Sequence, residues 1–195
     1  LASTMTLSAR RIVLLALAAL LALLAGCEAM TPAECATADW GRRGFDDGSK
    51  GQADRSADYY ESCSKSGQRV EVAIYRAGRD QGLIAYCQLD NAINEGLAGR
   101  SYGGVCPPQL DSNFRIFHQE GYAVQDLRKT VERLQREQRA MDAELRDSKT
   151  SDARRAELRE LLSRSDRRIA DARDALQAAQ RHLDRLRNDL RPIRR

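Results

Sequence analysis

The chain has 195 residues, of which 42% are hydrophobic and only 5% are aromatic. This length corresponds to one or two domains, and the composition suits helical packing better than a large globular core. The 32 Lys and Arg residues stand against 28 Asp and Glu, which gives a formal net charge of +4. Such a near balance weakens the case for a nucleic-acid-binding chain.

The N-terminal residues have the pattern of a targeting segment. Arg10 and Arg11 precede an uninterrupted apolar run from Ile12 to Ala25. A helix of this length would span about 21 Å, which is short of the roughly 30 Å hydrocarbon core of a bilayer. A signal peptide over residues 1–26 is therefore favoured over a membrane-spanning helix.

The apolar run ends in the tetrapeptide Leu24-Ala25-Gly26-Cys27. It resembles the lipobox of bacterial lipoproteins, in which small residues before the cysteine let a peptidase approach the extended backbone. The resemblance implies a diacylglycerol on the Cys27 sulfur, cleavage before Cys27 and acylation of the new amino group, and two or three acyl chains anchor a protein stably. An ordinary secretory signal followed by an unrelated cysteine is the less favoured alternative.

The residue after Cys27 bears on the choice of membrane. Under the usual sorting rule, an Asp at this position retains a lipoprotein in the inner membrane, and this chain has Glu28. We therefore expect the outer membrane, with the lipid anchor on the periplasmic side. The inner membrane stays open because sorting rules vary among bacteria.

The cysteine count supports export. Of the five cysteines, Cys27 would carry lipid, which leaves Cys35, Cys63, Cys87 and Cys106. In an oxidising periplasm four cysteines suggest two disulfides, with three possible connectivities. We favour Cys35–Cys63 and Cys87–Cys106, which close the nearest loops and would each stabilise the fold by roughly 3 kcal/mol. A four-cysteine zinc site is the alternative, although its ligands usually come in C-x-x-C pairs, which this sequence lacks.

The chain after the signal segment changes composition part-way along. Residues 28–118 carry 10 basic and 13 acidic side chains, whereas residues 119–195 carry 20 basic and 15 acidic ones. Pro107-Pro108 breaks the chain just before the change. We therefore predict a cysteine-containing lipoprotein domain over residues 27–112 and a second domain over residues 113–195.

Glycines in the first of these domains recur at helical spacing. The sets, which include other small or aromatic residues, are Gly41, Gly44, Gly48 and Gly51; Tyr75, Gly78 and Gly82; and Ala92, Gly96 and Gly99. Each set falls on one helix face. A glycine within a helix lowers the stability of that helix by about 1 kcal/mol relative to Ala. Such stripes therefore predict the close approach of another helix or an aromatic ring. We expect the remaining gaps to be filled by Trp40, Tyr75, Tyr86 and Tyr102. Alternatively some glycines mark turns, as we expect for Gly103 and Gly104.

Three segments of this domain carry a more specific pattern. They are Asp39-Trp40 with Gly44, Asp47-Gly48 and Gly51; Tyr75, Gly78, Gly82, Leu83, Tyr86 and Cys87; and Gly96, Gly99, Tyr102, Val105, Cys106 and Pro107. Together they resemble the bacterial lipoprotein family known as domain of unknown function 2799, over roughly residues 35–122. The resemblance implies an envelope location and this architecture, and it brings no catalytic residues with it.

The sequence of the second domain predicts a long antiparallel helical hairpin, which is a form of coiled coil. Its seam positions alternate three and four residues apart and are Val124, Leu127, Val131, Leu134, Gln138, Met141 and Leu145, then Leu158, Leu162, Ser165, Ile169, Ala172, Leu176, Ala179, Leu183, Leu186, Leu190 and Ile193. Turn and cap residues at 147–152 separate the two arms. Arms of about 31 residues would extend roughly 45 Å.

The register of the hairpin follows from residue numbers alone. Facing residues of antiparallel arms have a constant index sum, and Met141 with Leu158 and Val124 with Leu176 satisfy this condition within one residue. Continued towards the base, the register places Phe117 opposite Leu183 and Phe114 opposite Leu186. A parallel dimer or trimer that uses the same seam is the alternative.

The sequence shows no established pattern of catalytic or metal-binding residues. His118 and His182 flank seam positions, so we expect both near helix surfaces in structural roles. The Asp46-Asp47-Gly48 segment lacks the alternating acidic residues and terminal Glu of a calcium loop. We find no metal-ligand spacing, phosphate-binding loop or nucleophile elbow. We therefore predict no metal, no cofactor and no enzymatic activity.

These patterns predict an all-α protein in which a small disulfide-linked domain of short, glycine-striped helices precedes the hairpin. We expect a non-catalytic cell-envelope lipoprotein that reaches the membrane through its lipid anchor and an envelope protein through the hairpin. Nucleic acid is not expected, because acidic residues are interleaved with the arginines. The alternative is a periplasmic binding module in which Trp40 and the tyrosines stack on a cell-wall or other glycan ligand, with the small molecule itself unknown. An enzyme ranks last.

Overall fold

The computed structural model describes residues 29–190, so Cys27 and the last seam residue, Ile193, lie outside the described residues. The described chain is helical throughout, as predicted. Its helices are α1 Pro32–Ala36, α2 Trp40–Ser49, α3 Ser56–Ser64, α4 Val72–Tyr86, α5 Leu89–Leu97, α6 Pro108–Arg146 and α7 Asp152–Leu190. Within residues 29–190, no helix combines the length and the apolar character that crossing a bilayer requires.

The chain divides into two compact units. Among the described residues, the first contains residues 29–40 and Arg55–Val72, and the second contains Gly41–Asp54 and residues 73–190. Helices α1 and α3 therefore belong to the first unit, while nearly all of α2 and α4 belongs to the second unit with α5, α6 and α7. The expected boundary at residue 112 falls inside α6.

A disulfide and an aromatic pair hold the first unit together. Cys35 in α1 is bonded to Cys63 in α3, with the Cα atoms 5.5 Å apart. The Trp40 and Tyr59 rings, both buried, have centroids 5.9 Å apart. Because isolated helices of five and nine residues are unstable in water, these tertiary links supply the stability that local propensity does not.

In the second unit, α2 and α4 cross through their glycines, as the spacing predicts. A methyl group at Gly44 would overlap the Tyr75 carbonyl oxygen, and one at Gly78 would overlap the backbone of α2. Gly48 and Gly82 face the opposite backbone in the same way. The helices therefore approach more closely than side chains would permit, and the resulting backbone contacts offset the low helix propensity of glycine.

Polar contacts fix this crossing. Asp47, which is buried, accepts a hydrogen bond from the Tyr75 hydroxyl at 2.9 Å. The Arg79 guanidinium donates to the Gln52 carbonyl at 2.8 Å. Gly51 is not part of the helical stripe, because its φ of +66° places it in the turn that follows α2.

A second glycine crossing joins α5 to α6. A methyl group at Gly96 would overlap the His118 carbonyl oxygen and lie 2.6 Å from the Tyr122 nitrogen. From the other helix, Gly121 faces the Ile93 carbonyl in the same manner. This crossing fixes the distance between α5 and the part of α6 that precedes the hairpin seam.

Gly99 ends α5 instead of continuing its glycine face. Its φ is +70°, and its N–H donates to the Gly96 carbonyl at 2.8 Å. The Arg100 N–H donates to the Glu95 carbonyl at 3.1 Å, which completes a helix-terminating motif that favours glycine at this position. The alternative that some glycines mark turns is thus correct for Gly51, Gly99 and Gly104, all of which have positive φ.

The second disulfide, Cys87–Cys106, joins the end of α4 to the loop before α6, with Cα atoms 5.7 Å apart. Both disulfides are those that the nearest-loop pairing favours. Phe114 is fully buried beside this disulfide, with its ring centroid 5.2 Å from that of Tyr86 and 4.5 Å from that of Tyr102. The predicted pairing of Phe114 with Leu186 is therefore wrong, because the first turns of α6 bury this ring in the disulfide region.

Helices α6 and α7 form the predicted antiparallel hairpin within one chain. Every predicted seam position among the described residues is buried or half-buried, and the most buried are Val124, Val131, Leu134, Leu158, Ser165, Ile169 and Leu183. Each arm has 39 residues, or about 58 Å of helix. The arms are longer than expected because α6 already begins at Pro108. The two arms of one chain bury each other's seam residues, which favours the hairpin over the parallel oligomer.

The base of the hairpin packs on α5. Ile93, Val124 and Leu183 form a buried cluster, against which Phe117 and Leu176 are partly buried. The prediction that Phe117 lies near Leu183 is confirmed by this cluster. The hairpin is therefore anchored to the rest of the second unit through α5.

The far end of the hairpin is held by arginines. The Arg154 guanidinium donates to the Glu144 carboxylate at 2.7 Å and 3.0 Å, and also to Glu157 at 2.8 Å. Arg155 donates to the carbonyls of Thr150 and Asp147 at 3.0 Å and 2.9 Å. Because these carbonyls belong to the turn that follows α6, Arg155 holds that turn in place.

Candidate functional site

The predicted cysteine sites are explained by disulfide bonding. Cys35, Cys63, Cys87 and Cys106 are all bonded in pairs, so their thiolates are not available to the zinc site that was the alternative. Cys27, the predicted lipidation site, lies outside the described residues. Residues 29–190 contain no group of three or more His, Cys, Asp or Glu that is suited to a metal ion.

Most of the rings expected to stack on a ligand are buried. The exposed fractions are 5% for Trp40, 0% for Tyr75 and 5% for Tyr86. These rings fill the core, so their proposed role in ligand stacking is wrong. Tyr60 and Tyr122 are exposed instead, at 61% and 42%.

Tyr122 lies in an open groove of about 480 Å³ in the second unit. One wall is the loop segment at Ser101 and Tyr102, and the other is one face of α6. The lining residues on α6 are Arg115, His118, Gln119, Tyr122, Ala123 and Asp126. Their spacing of three and four residues places them along one ridge of the helix.

His118 forms the floor of the groove. It is buried, and its Nε2 lies 2.8 Å from the Arg100 carbonyl oxygen. A carbonyl oxygen only accepts, so Nε2 carries the proton and Nδ1 of the neutral ring is an acceptor. The expectation that His118 lies near the helix surface is therefore wrong, because α6 is covered by α5 and the Arg100 loop on a side that the hairpin seam does not use.

The loop wall of the groove is held by a hydrogen-bonded triad. The Tyr102 hydroxyl donates to the Asp111 carboxylate at 2.6 Å and accepts from the Cys106 N–H at 2.9 Å. The Arg115 Nε donates to the same carboxylate at 2.7 Å, and its guanidinium lies 5.2 Å from the Tyr102 ring centroid. These contacts tie the loop to the first turns of α6.

The protonation behaviour of this triad reflects its contacts. Burial raises the pKa of Tyr102 to about 12, and the hydrogen bond to Asp111 acts in the same direction. The hydrogen bond from Arg115 lowers the pKa of Asp111, with a further contribution from the Tyr102 hydroxyl. Tyr102 therefore stays a neutral donor and Asp111 stays a charged acceptor across the physiological pH range.

A second set of contacts holds the loop from the side of α5. The Arg100 side chain donates to the Glu95 carboxylate at 2.8 Å, so the same residue that receives His118 through its carbonyl is bound to α5 through its guanidinium. Burial, and then the Glu95 charge, raises the pKa of Tyr86 to about 12. The groove is thus a fixed feature, braced by a disulfide, two carboxylates and an aromatic core.

Several polar groups of the groove are not used by the fold. Among residues 29–190, Asp126 and Gln119 have no hydrogen bond or ion pair, and His118 has none through Nδ1. The Tyr122 ring lies 6.1 Å from that of His118, with 23° between their planes. An exposed ring beside unused donors and acceptors is an arrangement suited to molecular recognition. The sequence gives no signal for this groove, because most of its residues lie between the family motifs, which end at Pro107, and the hairpin seam, which begins at Val124.

The hairpin offers a surface of a different kind. Its outward faces carry exposed ion pairs between successive helical turns, such as Arg133 with Glu137 at 2.8 Å and Arg164 with Glu160 at 2.7 Å. Pairs of this type contribute little to stability, typically about 0.3–0.5 kcal/mol each. This surface remains highly charged, with arginines such as Arg159 exposed.

The described residues thus form a small all-helical protein with two disulfides, two glycine crossings and a hairpin of two long helices. Residues 39–123 match the family model described as a protein of unknown function (DUF2799), so this part of the chain is a domain of that family, as the sequence motifs predict. The match includes both glycine crossings and ends just before the hairpin seam begins at Val124. No curated protein and no solved structure matches the chain.

Proposed function

We propose that the protein is a non-catalytic lipoprotein of the bacterial cell envelope, anchored through Cys27, which presents its hairpin to a protein partner. The observation that carries the proposal is the presence of two disulfides in a chain that also forms an intrachain hairpin. Disulfides of this kind form and persist in oxidising compartments such as the periplasm. The family match is consistent with this role but supplies no activity.

The anchor rests on the sequence around Cys27. With four of the five cysteines in disulfides, Cys27 is the odd cysteine, and it follows an apolar run and two small residues. Lipidation gives this cysteine a role that leaves no free thiol in an oxidising compartment. Glu28 supports the outer membrane as the destination.

The hairpin is the part of the chain that we assign to the partner. Its apolar seam is buried between α6 and α7, so a partner would contact the charged outward faces. Recognition by exposed charges is directional and sensitive to salt. We therefore expect binding that weakens as ionic strength rises.

Intact mass of the protein, purified from the membranes of its native host before and after reduction, tests the anchor. We expect a chain that begins at Cys27 with added lipid mass, and a gain of about four hydrogens on reduction because two disulfides open. An unlipidated chain would overturn the anchor, and four free thiols would overturn export.

A photo-crosslinking amino acid in place of Arg159 tests the partner surface. Arg159 lies exposed on the hairpin, so we expect a discrete adduct in living cells that diminishes at high salt. The matched control carries the same amino acid at Lys65, an exposed residue that follows α3. If both positions give the same adducts or none, the hairpin is not the partner surface.

A further inference from the structure

We propose that the groove between the Ser101–Tyr102 segment and α6 binds a sugar, with the Tyr122 ring as its platform. The volume of about 480 Å³ lies in the range of small-molecule sites, roughly 300–1,000 Å³. This proposal goes beyond the hairpin function, because it concerns a different surface and a different class of ligand.

The Tyr122 ring provides the apolar contact. It is 42% exposed and its neighbour His118, whose ring is nearly parallel to it, is held from below by the Arg100 carbonyl. A sugar ring has an apolar face of C–H groups, and such faces pack on aromatic rings, which supply large contact area at little entropic cost. The exposed ring therefore fits one face of a pyranose.

The polar groups around the ring match hydroxyl groups. His118 Nδ1 and the Asp126 carboxylate accept, the Gln119 amide and Ser101 hydroxyl both donate and accept, and the Arg115 guanidinium donates. A sugar hydroxyl both donates and accepts, so it is best satisfied by such a mixed set. Neither a purely anionic nor a purely cationic ligand would use all of these groups.

The charges in the groove disfavour a ligand that carries a phosphate or a carboxylate. Arg115 is already bonded to Asp111 at 2.7 Å, and Asp126 adds a negative charge to the same groove. An anion would have to approach this carboxylate without a free cationic partner, at an electrostatic cost. A neutral, hydroxyl-rich ligand meets no such repulsion.

The groove is also organised before any ligand arrives. The Tyr102–Asp111–Arg115 triad, the Cys87–Cys106 disulfide and the α5–α6 glycine crossing hold both walls. Binding to a preformed groove avoids much of the entropy cost of ordering loops and side chains. Modest contacts of one ring and a few hydrogen bonds are then sufficient for measurable affinity.

The test is titration calorimetry of the full chain in detergent with two neutral trisaccharides. Chitotriose in its fully N-acetylated form carries the acetamido groups of cell-wall glycan, whereas maltotriose carries hydroxyls alone. We expect binding of at least one of them, with affinity reduced about tenfold or more in Tyr122→Ala, because the stacked ring is lost. Asp126→Asn should reduce affinity in the same direction.

Tyr60→Ala is the matched control, because it removes another exposed tyrosine ring, which belongs to the first unit. It should leave binding unchanged, and far-UV circular dichroism of each variant should match that of the parent chain. Preference for chitotriose would identify an amino-sugar ligand, and preference for maltotriose a plain hexose. Absence of binding to both trisaccharides, or equal affinity in Tyr122→Ala and the parent chain, would overturn the proposal. The membrane anchor is tested separately by mass, so the two proposals fail independently.

Discussion

The α5–α6 crossing makes a specific prediction for Gly96→Ala. The added methyl group would lie 2.6 Å from the Tyr122 nitrogen and overlap the His118 carbonyl oxygen, whereas ordinary contact begins at 3.4 Å. Both obstacles are backbone atoms, so no side-chain rotation relieves the overlap. To restore contact at the Tyr122 nitrogen alone, the helices must separate by about 0.8 Å.

The expected cost follows from two opposing contributions. Alanine is the better helix former by about 1 kcal/mol, although Gly96 lies in the last turn of α5, where the gain is smaller. Overpacking of a close contact typically costs about 1–3 kcal/mol, and separation also loosens the buried cluster of Ile93, Val124 and Leu183. We expect a net loss of about 2 kcal/mol in the free energy of unfolding.

Thermal unfolding of the full chain, followed by far-UV circular dichroism, measures this loss. A loss of this size lowers Tm by about 4–8 °C in a chain of this length. The matched control is Gly103→Ala, whose methyl group would meet only the Val105 side chain at 3.9 Å. If Gly96→Ala melts at the same temperature as Gly103→Ala, close backbone packing does not stabilise this crossing and the reasoning is refuted.

Three further predictions follow from local contacts. Cys87→Ser with Cys106→Ser should destabilise the second unit by about 3 kcal/mol, because an open loop gains entropy in the unfolded chain, and urea unfolding measures the change. Arg154→Ala should leave overall helicity intact but speed amide exchange around Glu144 and the hairpin turn, whereas Arg159→Ala should not. Burial raises the pKa of Tyr102 from about 10 to about 12, so its contribution is fully present below pH 10 and lost as pH rises through about 12. Tyr102→Phe should weaken the decline of Tm over this interval, and an unchanged slope would contradict the assignment.

The hairpin and the disulfides could be predicted because their signals are local or countable. A seam with three- and four-residue spacing repeats through both arms, and nearest-loop pairing selects one of only three connectivities. The close crossing of α2 and α4 could also be predicted from the glycine spacing, since a stripe of residues without side chains is stable only against a close neighbour. The hairpin and the glycine faces each depend on a periodic pattern within a segment, whereas the disulfides depend on a count of cysteines.

The contacts made by the first turns of α6 could not be predicted from such a pattern. Gly121 has no glycine partner on its own helix, and its counterpart Gly96 lies 25 positions earlier in the chain. A helix that buries one face against α7 and another against α5 is not described by a single seam. A single seam therefore does not predict where His118 and Phe114 lie, or the groove beside them.

The continuity of α6 has a consequence for how far the hairpin can reach. Its first turns are fixed by α5 and the disulfide loop, whereas its distal turns pack along α7. Removing or adding seven residues in each arm would keep the facing register and change the reach by about 10.5 Å. The distal arms therefore act as an adjustable spacer, whose length can vary among descendants of this sequence without rebuilding the groove at its foot.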